Sequence, residues 1–156
     1  MNKEYIFYTE SVEETLRLGE LIGSILKPGD VIAMDGDLGA GKTHFTYGIA
    51  KALGIDEYIT SPTFTIVNEY HNGKYPLFHF DVYRLCDSDE LYDIGYDDYV
   101  SQNGIIVIEW SKIVEDIFDE RCIKVEILRM DEKSATSRSI HIFMDERADK
   151  IANIVH

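Results

Sequence analysis

Met34-Asp35-Gly36-Asp37-Leu38-Gly39-Ala40-Gly41-Lys42-Thr43-His44-Phe45 is the stretch that decides the fold. From Gly36 to Thr43 it fits the pattern of a glycine, four residues, then Gly-Lys-Ser/Thr, the signature of a phosphate-binding P-loop. Gly36, Gly39 and Gly41 let the backbone turn tightly and bring its N–H groups against phosphate oxygens with no side chain in the way. Leu38 and Ala40 complete the loop, and the positive end of the helix that follows faces the same oxygens. In this motif Lys42 reaches the β- and γ-phosphates of a nucleotide, and the Thr43 hydroxyl is a ligand for Mg²⁺. Asp37 lies inside the loop, where a carboxylate supports loop shape more often than it holds metal. His44 follows in the first helical turn, outside the phosphate cradle.

The flanks agree with the motif. Val31-Ile-Ala-Met34 is a short apolar run suited to a buried strand, and Phe45, Ile49, Ala50 and Leu53 have helical spacing before a stop at Gly54. Upstream, Tyr5–Tyr8 reads as a first strand, and Ser11 with Glu14 forms a capping-box pattern. Leu18, Leu21, Ile22 and Ile25 then predict an amphipathic helix over 12–26, ended by Pro28-Gly29-Asp30.

Downstream, Pro62 forces an extended backbone and Phe64–Tyr70 is rich in strand formers. Asn72-Gly73 is a hairpin signal, with Leu77–Tyr83 as the return strand. Its alternation sends Phe78, Phe80 and Val82 to the core and displays His79, Asp81 and Tyr83 on the other face. The acidic run Asp87–Asp98, with Leu91 and Ile94 as anchors, reads as a short solvated helix and loop over the site. Ile105–Ile108 is an unbroken apolar run, as expected of a central strand covered on both faces, and it ends at Glu109-Trp110. Residues 112–120 read as helix, Arg121–Leu128 and Ser139–Phe143 as two antiparallel strands, and the C-terminus as a helix with Ala148, Ile151, Ala152 and Val155 on one stripe. The expected architecture is α/β: one P-loop NTPase domain over residues 1–156, with a central mixed sheet flanked by helices.

Charge narrows the partners. Fifteen basic against twenty-nine acidic residues give a formal −14. A chain that grips RNA or DNA draws on Lys and Arg to neutralise phosphates, so direct nucleic-acid binding is not expected here. Such acidity keeps a small protein soluble or complements a basic protein partner. No apolar run approaches membrane-spanning length, and residues 1–11 lack a signal-peptide core. Cys86 and Cys122 suit neither a disulfide framework nor a zinc site, which points to reduced thiols and a cytoplasmic location.

A P-loop needs a carboxylate for Mg²⁺ and a group that orients the attacking water. Asp81 and Glu109 each end a predicted strand, and ligands in open α/β sheets sit at such carboxyl ends. His79 shares the face of Asp81, where a lone histidine more often packs or hydrogen-bonds. Thr63 either offers its hydroxyl to a γ-phosphate, as a switch threonine does, or shapes the turn after Pro62. Trp110 is either core or a cover for the site.

Taken together, Gly36–Thr43, Ser61-Pro-Thr-Phe64, Asn68-Glu-Tyr70, His79-Phe-Asp-Val-Tyr-Arg-Leu85 and Ile108-Glu-Trp110 resemble the bacterial tRNA threonylcarbamoyladenosine biosynthesis ATPase family, TsaE. The pieces fall in the family's order across roughly residues 9–145. The resemblance implies a small ATPase acting in complex with a threonylcarbamoyl transferase and that enzyme's pseudo-enzyme partner. Together they place N6-threonylcarbamoyladenosine at position 37 of tRNA, with ATP hydrolysis resetting the complex between turnovers. Contact with tRNA would then be indirect, through the partners. It also implies roles: Lys42 on phosphate, Thr43 and Glu109 on Mg²⁺, Asp81 on the attacking water or the metal, and Thr63 and Trp110 close by. Ser11 would lie near the adenine and Arg138 near the nucleotide. Where the family has a second threonine, this chain has His44. Two rivals share the P-loop: a small nucleoside or metabolite kinase, and a nucleotide-binding module that regulates without hydrolysing. The arginines are scattered through the chain, with no cluster to clamp a second phosphate, which disfavours the kinase.

Overall fold

The computed structural model describes residues 2–37, 39–62 and 64–155, with side chains as far as Asn153. Leu38 and Thr63 lie outside the described residues. The elements run β1 (Lys3–Thr9), α1 (Val12–Gly23), β2 (Val31–Gly36), α2 (Lys42–Ala52), β3 (Val67–Tyr70), β4 (Leu77–Asp81), α3 (Ser88–Asp93), α4 (Tyr96–Ser101), β5 (Ile105–Glu109), β6 (Ile123–Arg129), β7 (Arg138–Met144) and α5 (Asp149–Val155). A 3₁₀ segment, Ser111–Ile117, follows β5.

All the strands join one seven-stranded sheet in the order β1-β7-β6-β2-β5-β4-β3. The four inner strands β6, β2, β5 and β4 are parallel to one another. The pairings β1–β7, β7–β6 and β3–β4 are antiparallel, so the sheet is mixed. Helices cover both faces. Leu18 and Ile22 of α1, Phe45 and Ile49 of α2, and Ile151 of α5 pack with Ile32, Val107, Val125 and Ile142 on one face. Leu91 of α3, Tyr96 of α4 and Val114 pack with Phe78, Phe80, Ile106 and Ile108 on the other. Double cover explains the unbroken apolar run of β5, where every residue is buried.

Helices α1 and α2 touch backbone to backbone. A Cβ on Gly48 would stand 2.1 Å from the Leu16 carbonyl oxygen, and one on Gly19 2.2 Å from that of Phe45. This contact presses the start of α2 against α1 and so fixes the loop between β2 and α2.

Three expectations change. The strand predicted from Phe64 begins only at Val67, because Ile66 takes a left-handed conformation (φ 70°). Its carbonyl then accepts the Asp81 N–H at 2.8 Å. The return strand stops at Asp81, and Val82–Leu85 is a turn closed by Leu85 N–H on the Val82 carbonyl at 2.9 Å. The acidic run forms two short helices, and among the described residues none of 87–98 lines the site cavity. Tyr92, Tyr96, Asp97 and Val100 line a different cavity of about 920 Å³, with Pro28–Val31 and Cys122, at the amino ends of the parallel strands.

Cys122 is buried there, and desolvation pushes its thiol up to about 11. Cys86 is exposed, its thiol raised chiefly by a hydrogen bond with Glu90. A thiol reagent at pH 8 is expected to label Cys86 in the folded chain and Cys122 only after unfolding. Two equally fast thiols would contradict this packing.

Candidate functional site

The carboxyl ends of β2, β5 and β4 meet one another. In the parallel register Met34 is opposite Glu109, and Glu109 is opposite Asp81. The backbone between β2 and α2 closes over this edge. Gly41 caps α2 at φ 108°, a conformation that favours glycine, and no side chain caps the helix. The N–H groups of the first turn are thus left open. Residues 39–44, Ser61, Asp81, Tyr83, Glu109 and Trp110 line a cavity of about 530 Å³.

Lys42 is buried, and its Nζ donates to the carbonyls of Gly36 at 2.6 Å and Asp37 at 3.4 Å. The same ammonium lies 4.2 Å from the centroid of Trp110, whose ring packs on Tyr83 at 4.8 Å. Burial holds the Lys42 ammonium below the ordinary lysine range, partly offset by Glu109, Asp81, Asp35 and Asp37. A polyanion in the cavity would relieve that cost.

The two strand-end acids are held differently. Asp81 Oδ1 accepts the Tyr83 N–H at 3.0 Å, and Oδ2 accepts the Ser61 hydroxyl at 3.4 Å. Glu109 Oε2 is hydrogen-bonded to His79 Nε2, and both side chains are buried. Among the described residues His79 Nδ1 is buried without a partner, which puts the ring proton on Nε2, donated to Glu109. Oε1 of Glu109 has no hydrogen bond among the described residues. The face of β4 read as displayed is therefore covered, and His79 orients an acid.

Trp110 is fixed by an acid that the sequence reading passed over. It takes a left-handed conformation, φ 61°. The next residue, Ser111, donates its hydroxyl to Asp35 Oδ2 at 2.5 Å, and the Lys112 N–H reaches Oδ1 at 3.4 Å. Asp35 lies on β2 immediately before the glycine motif, and only the tertiary pairing with Ser111 separates it from an ordinary acid near a strand end.

Arg138 stands beneath the loop and is not among the cavity-lining residues. Its Nε donates to the Ala40 carbonyl at 2.7 Å and a terminal nitrogen to that of Gly39 at 3.2 Å. The Ala135 and Ser137 carbonyls take the other terminal nitrogen, at 3.0 and 2.9 Å. A trans peptide is planar, so drawing the Ala40 carbonyl toward Arg138 turns the Gly41 N–H the opposite way. Ser11 caps α1, accepting the Glu14 N–H at 3.1 Å, and likewise does not line the cavity.

Thr43, Asp81 and Glu109 line the same cavity and offer hard oxygen donors. Among the described residues, no three His, Cys, Asp or Glu side chains gather into a metal cage. That donor set suits Mg²⁺, which keeps waters and substrate oxygens in its shell, and not a fully caged ion.

The model for Threonylcarbamoyl adenosine biosynthesis protein TsaE matches residues 9–140. The chain belongs to the TsaE family. The tRNA threonylcarbamoyladenosine biosynthesis protein TsaE of Bacillus subtilis is 41% identical over 140 residues, 88% of this chain and 87% of that one. The Aquifex aeolicus protein of the same name is 42% identical over 130 residues, covering 77% of this chain and 92% of its own. The crystal structure of Bacillus subtilis YdiB superposes with a TM-score of 0.79 at 33% identity, covering 99% of this chain and 95% of that one. Four of the five pieces that carried the resemblance to TsaE contribute residues to the cavity lining, and Asn68-Glu-Tyr70 lies in the neighbouring strand β3. Among the described residues, no helix is long and apolar enough to cross a membrane.

Proposed function

We propose that this chain binds ATP with Mg²⁺ and hydrolyses it in the service of tRNA threonylcarbamoyladenosine biosynthesis, as a single P-loop ATPase domain in the cytoplasm. Its partners would be the threonylcarbamoyl transferase and that enzyme's pseudo-enzyme partner, with tRNA held by them. The observation that carries the reading is the juxtaposition in one cavity of Lys42 and Thr43 at an open helix N-terminus with Asp81 and Glu109. Membership of TsaE supplies the pathway.

In this reading the N–H groups of the loop and first turn bind the β- and γ-phosphates, and Lys42 exchanges its carbonyl partners for their oxygens. Thr43 and Glu109 would hold Mg²⁺, with His79 fixing Glu109 in position. The ion held there would supply positive charge against the negative charge of the phosphates. Asp81, steered by Tyr83 and Ser61, orients a water for in-line attack and takes its proton. Trp110 shields Lys42 from solvent. Leu38 would complete the loop, and Thr63 would serve close to the site as the family resemblance implies.

Trp110 is the only tryptophan and stands against Lys42. Its emission is expected to change saturably as Mg·ATP is titrated in, with a smaller response to a nucleoside without phosphates. No saturable response, with calorimetry equally silent, would remove the nucleotide site.

Arg138→Lys keeps the charge under the loop but cannot bridge both carbonyls. It is expected to weaken ATP binding about tenfold, roughly the 1.4 kcal/mol of a lost charge-assisted hydrogen bond. Unchanged affinity would show that the loop holds its shape without the strut.

A further inference from the structure

Among the described residues, five of the six arginines have polar partners. Arg17, Arg121, Arg129 and Arg147 pair with carboxylates, and Arg138 binds carbonyls. Arg84 makes no hydrogen bond or ion pair to the described residues, although the chain carries twenty-nine acids. Its guanidinium rests 4.8 Å from the ring centroid of Phe64, which is itself 81% exposed. A cation–π contact at an exposed site favours the resting position by only about two- to fivefold.

The backbone of Arg84 is tied to the site. It lies in the Val82–Leu85 turn, where the Val82 N–H donates to the Glu109 carbonyl at 3.3 Å. The Tyr83 N–H donates to Asp81, and the Tyr83 ring lines the cavity. Arg84 is three residues beyond Asp81, so their Cα atoms lie within about 10 Å. The cavity needs what Arg84 has to spare. Against Asp81 and Glu109 it presents the single ammonium of Lys42, while a transferring phosphoryl group spreads negative charge over its equatorial oxygens.

We propose that Arg84 is this chain's own catalytic arginine, resting on Phe64 between turnovers and swinging onto the γ-phosphate oxygens as the bond to ADP breaks. The inference rests on the reading of the cavity as an ATP site. In the step it assists, a water oxygen forms a bond to the γ-phosphorus. The bond to the β–γ bridging oxygen breaks, and ADP leaves with that electron pair. The water proton passes by way of Asp81 to the released phosphate. Arg84 takes no proton; its fork bridges oxygens whose charge grows during transfer.

The test compares wild type with Arg84→Ala, in which an exposed side chain is removed and the melting temperature should not move. Affinities are measured for Mg·ATP, for ADP with beryllium fluoride as a ground-state mimic, and for ADP with aluminium fluoride as a transition-state mimic. Single-turnover hydrolysis at saturating ATP is followed beside them. The proposal expects Arg84→Ala to keep ATP and beryllium fluoride affinities within about threefold. It expects the aluminium fluoride complex to weaken at least tenfold and hydrolysis to slow at least a hundredfold, below the range seen for arginine fingers. Wild-type hydrolysis in the variant overturns the proposal. So does a wild-type chain that binds ATP but gains nothing from aluminium fluoride, since the cation would then come from a partner. If wild type binds no ATP, the nucleotide site itself has failed, a separate result visible in the first titration.

Discussion

Lys42→Ala is expected to weaken Mg·ATP binding by two orders of magnitude or more while leaving the chain folded. The ammonium of Lys42 is buried against Trp110 and satisfied by the Gly36 and Asp37 carbonyls. In the proposed complex it turns to two phosphate oxygens, and hydrogen bonds to charged groups contribute about 1.5–3 kcal/mol each. Losing them removes at least about 2.7 kcal/mol, or a hundredfold. The fold should not suffer, since the lowered lysine pKa means that burying the ammonium costs free energy. Calorimetry with Mg·ATP measures the first effect and thermal unfolding the second. Retained affinity would contradict the phosphate-binding role of Lys42, and an unfolded variant would make it a structural residue.

Asp81→Asn is the second large effect, and it separates binding from chemistry. Asparagine keeps one oxygen for the Tyr83 N–H, so the turn above the site should survive. What it loses is the carboxylate that orients and deprotonates water. General-base contributions of about 10²- to 10⁴-fold set the expected loss of hydrolysis, with ATP affinity kept within about threefold. A fall in affinity equal to the fall in rate would mean that Asp81 serves the bound metal and not the water. Hydrolysis at the wild-type rate would remove it from the mechanism.

Much of this site was legible in the sequence, because the motif fixes backbone as well as side chains. Spacing from Gly36 to Thr43 dictates a strand, a glycine turn and a helix N-terminus. The apolar run Ile105–Ile108 likewise fixes where Glu109 must emerge. Residues whose role comes from a distant partner were less visible. Asp35 works through Ser111, 76 residues away, and Arg138 through carbonyls nearly a hundred residues away. His79 could be assigned to a face by alternation, but its bond to Glu109 depends on the register of β4 against β5. Ile66 misled for a related reason. A β-branched residue favours strand locally, yet here it turns left-handed to give its carbonyl to Asp81.

In the proposed function this small acidic domain turns over ATP for a tRNA-modifying assembly. The most direct test is ATP hydrolysis by the purified chain, alone and with the transferase and its pseudo-enzyme partner, with Lys42→Ala beside it. Slow turnover alone, raised at least tenfold by the pair and abolished in Lys42→Ala, is the predicted result. Equal rates with and without the pair would contradict it, and transfer of phosphate to a nucleoside in place of water would turn the reading to a kinase.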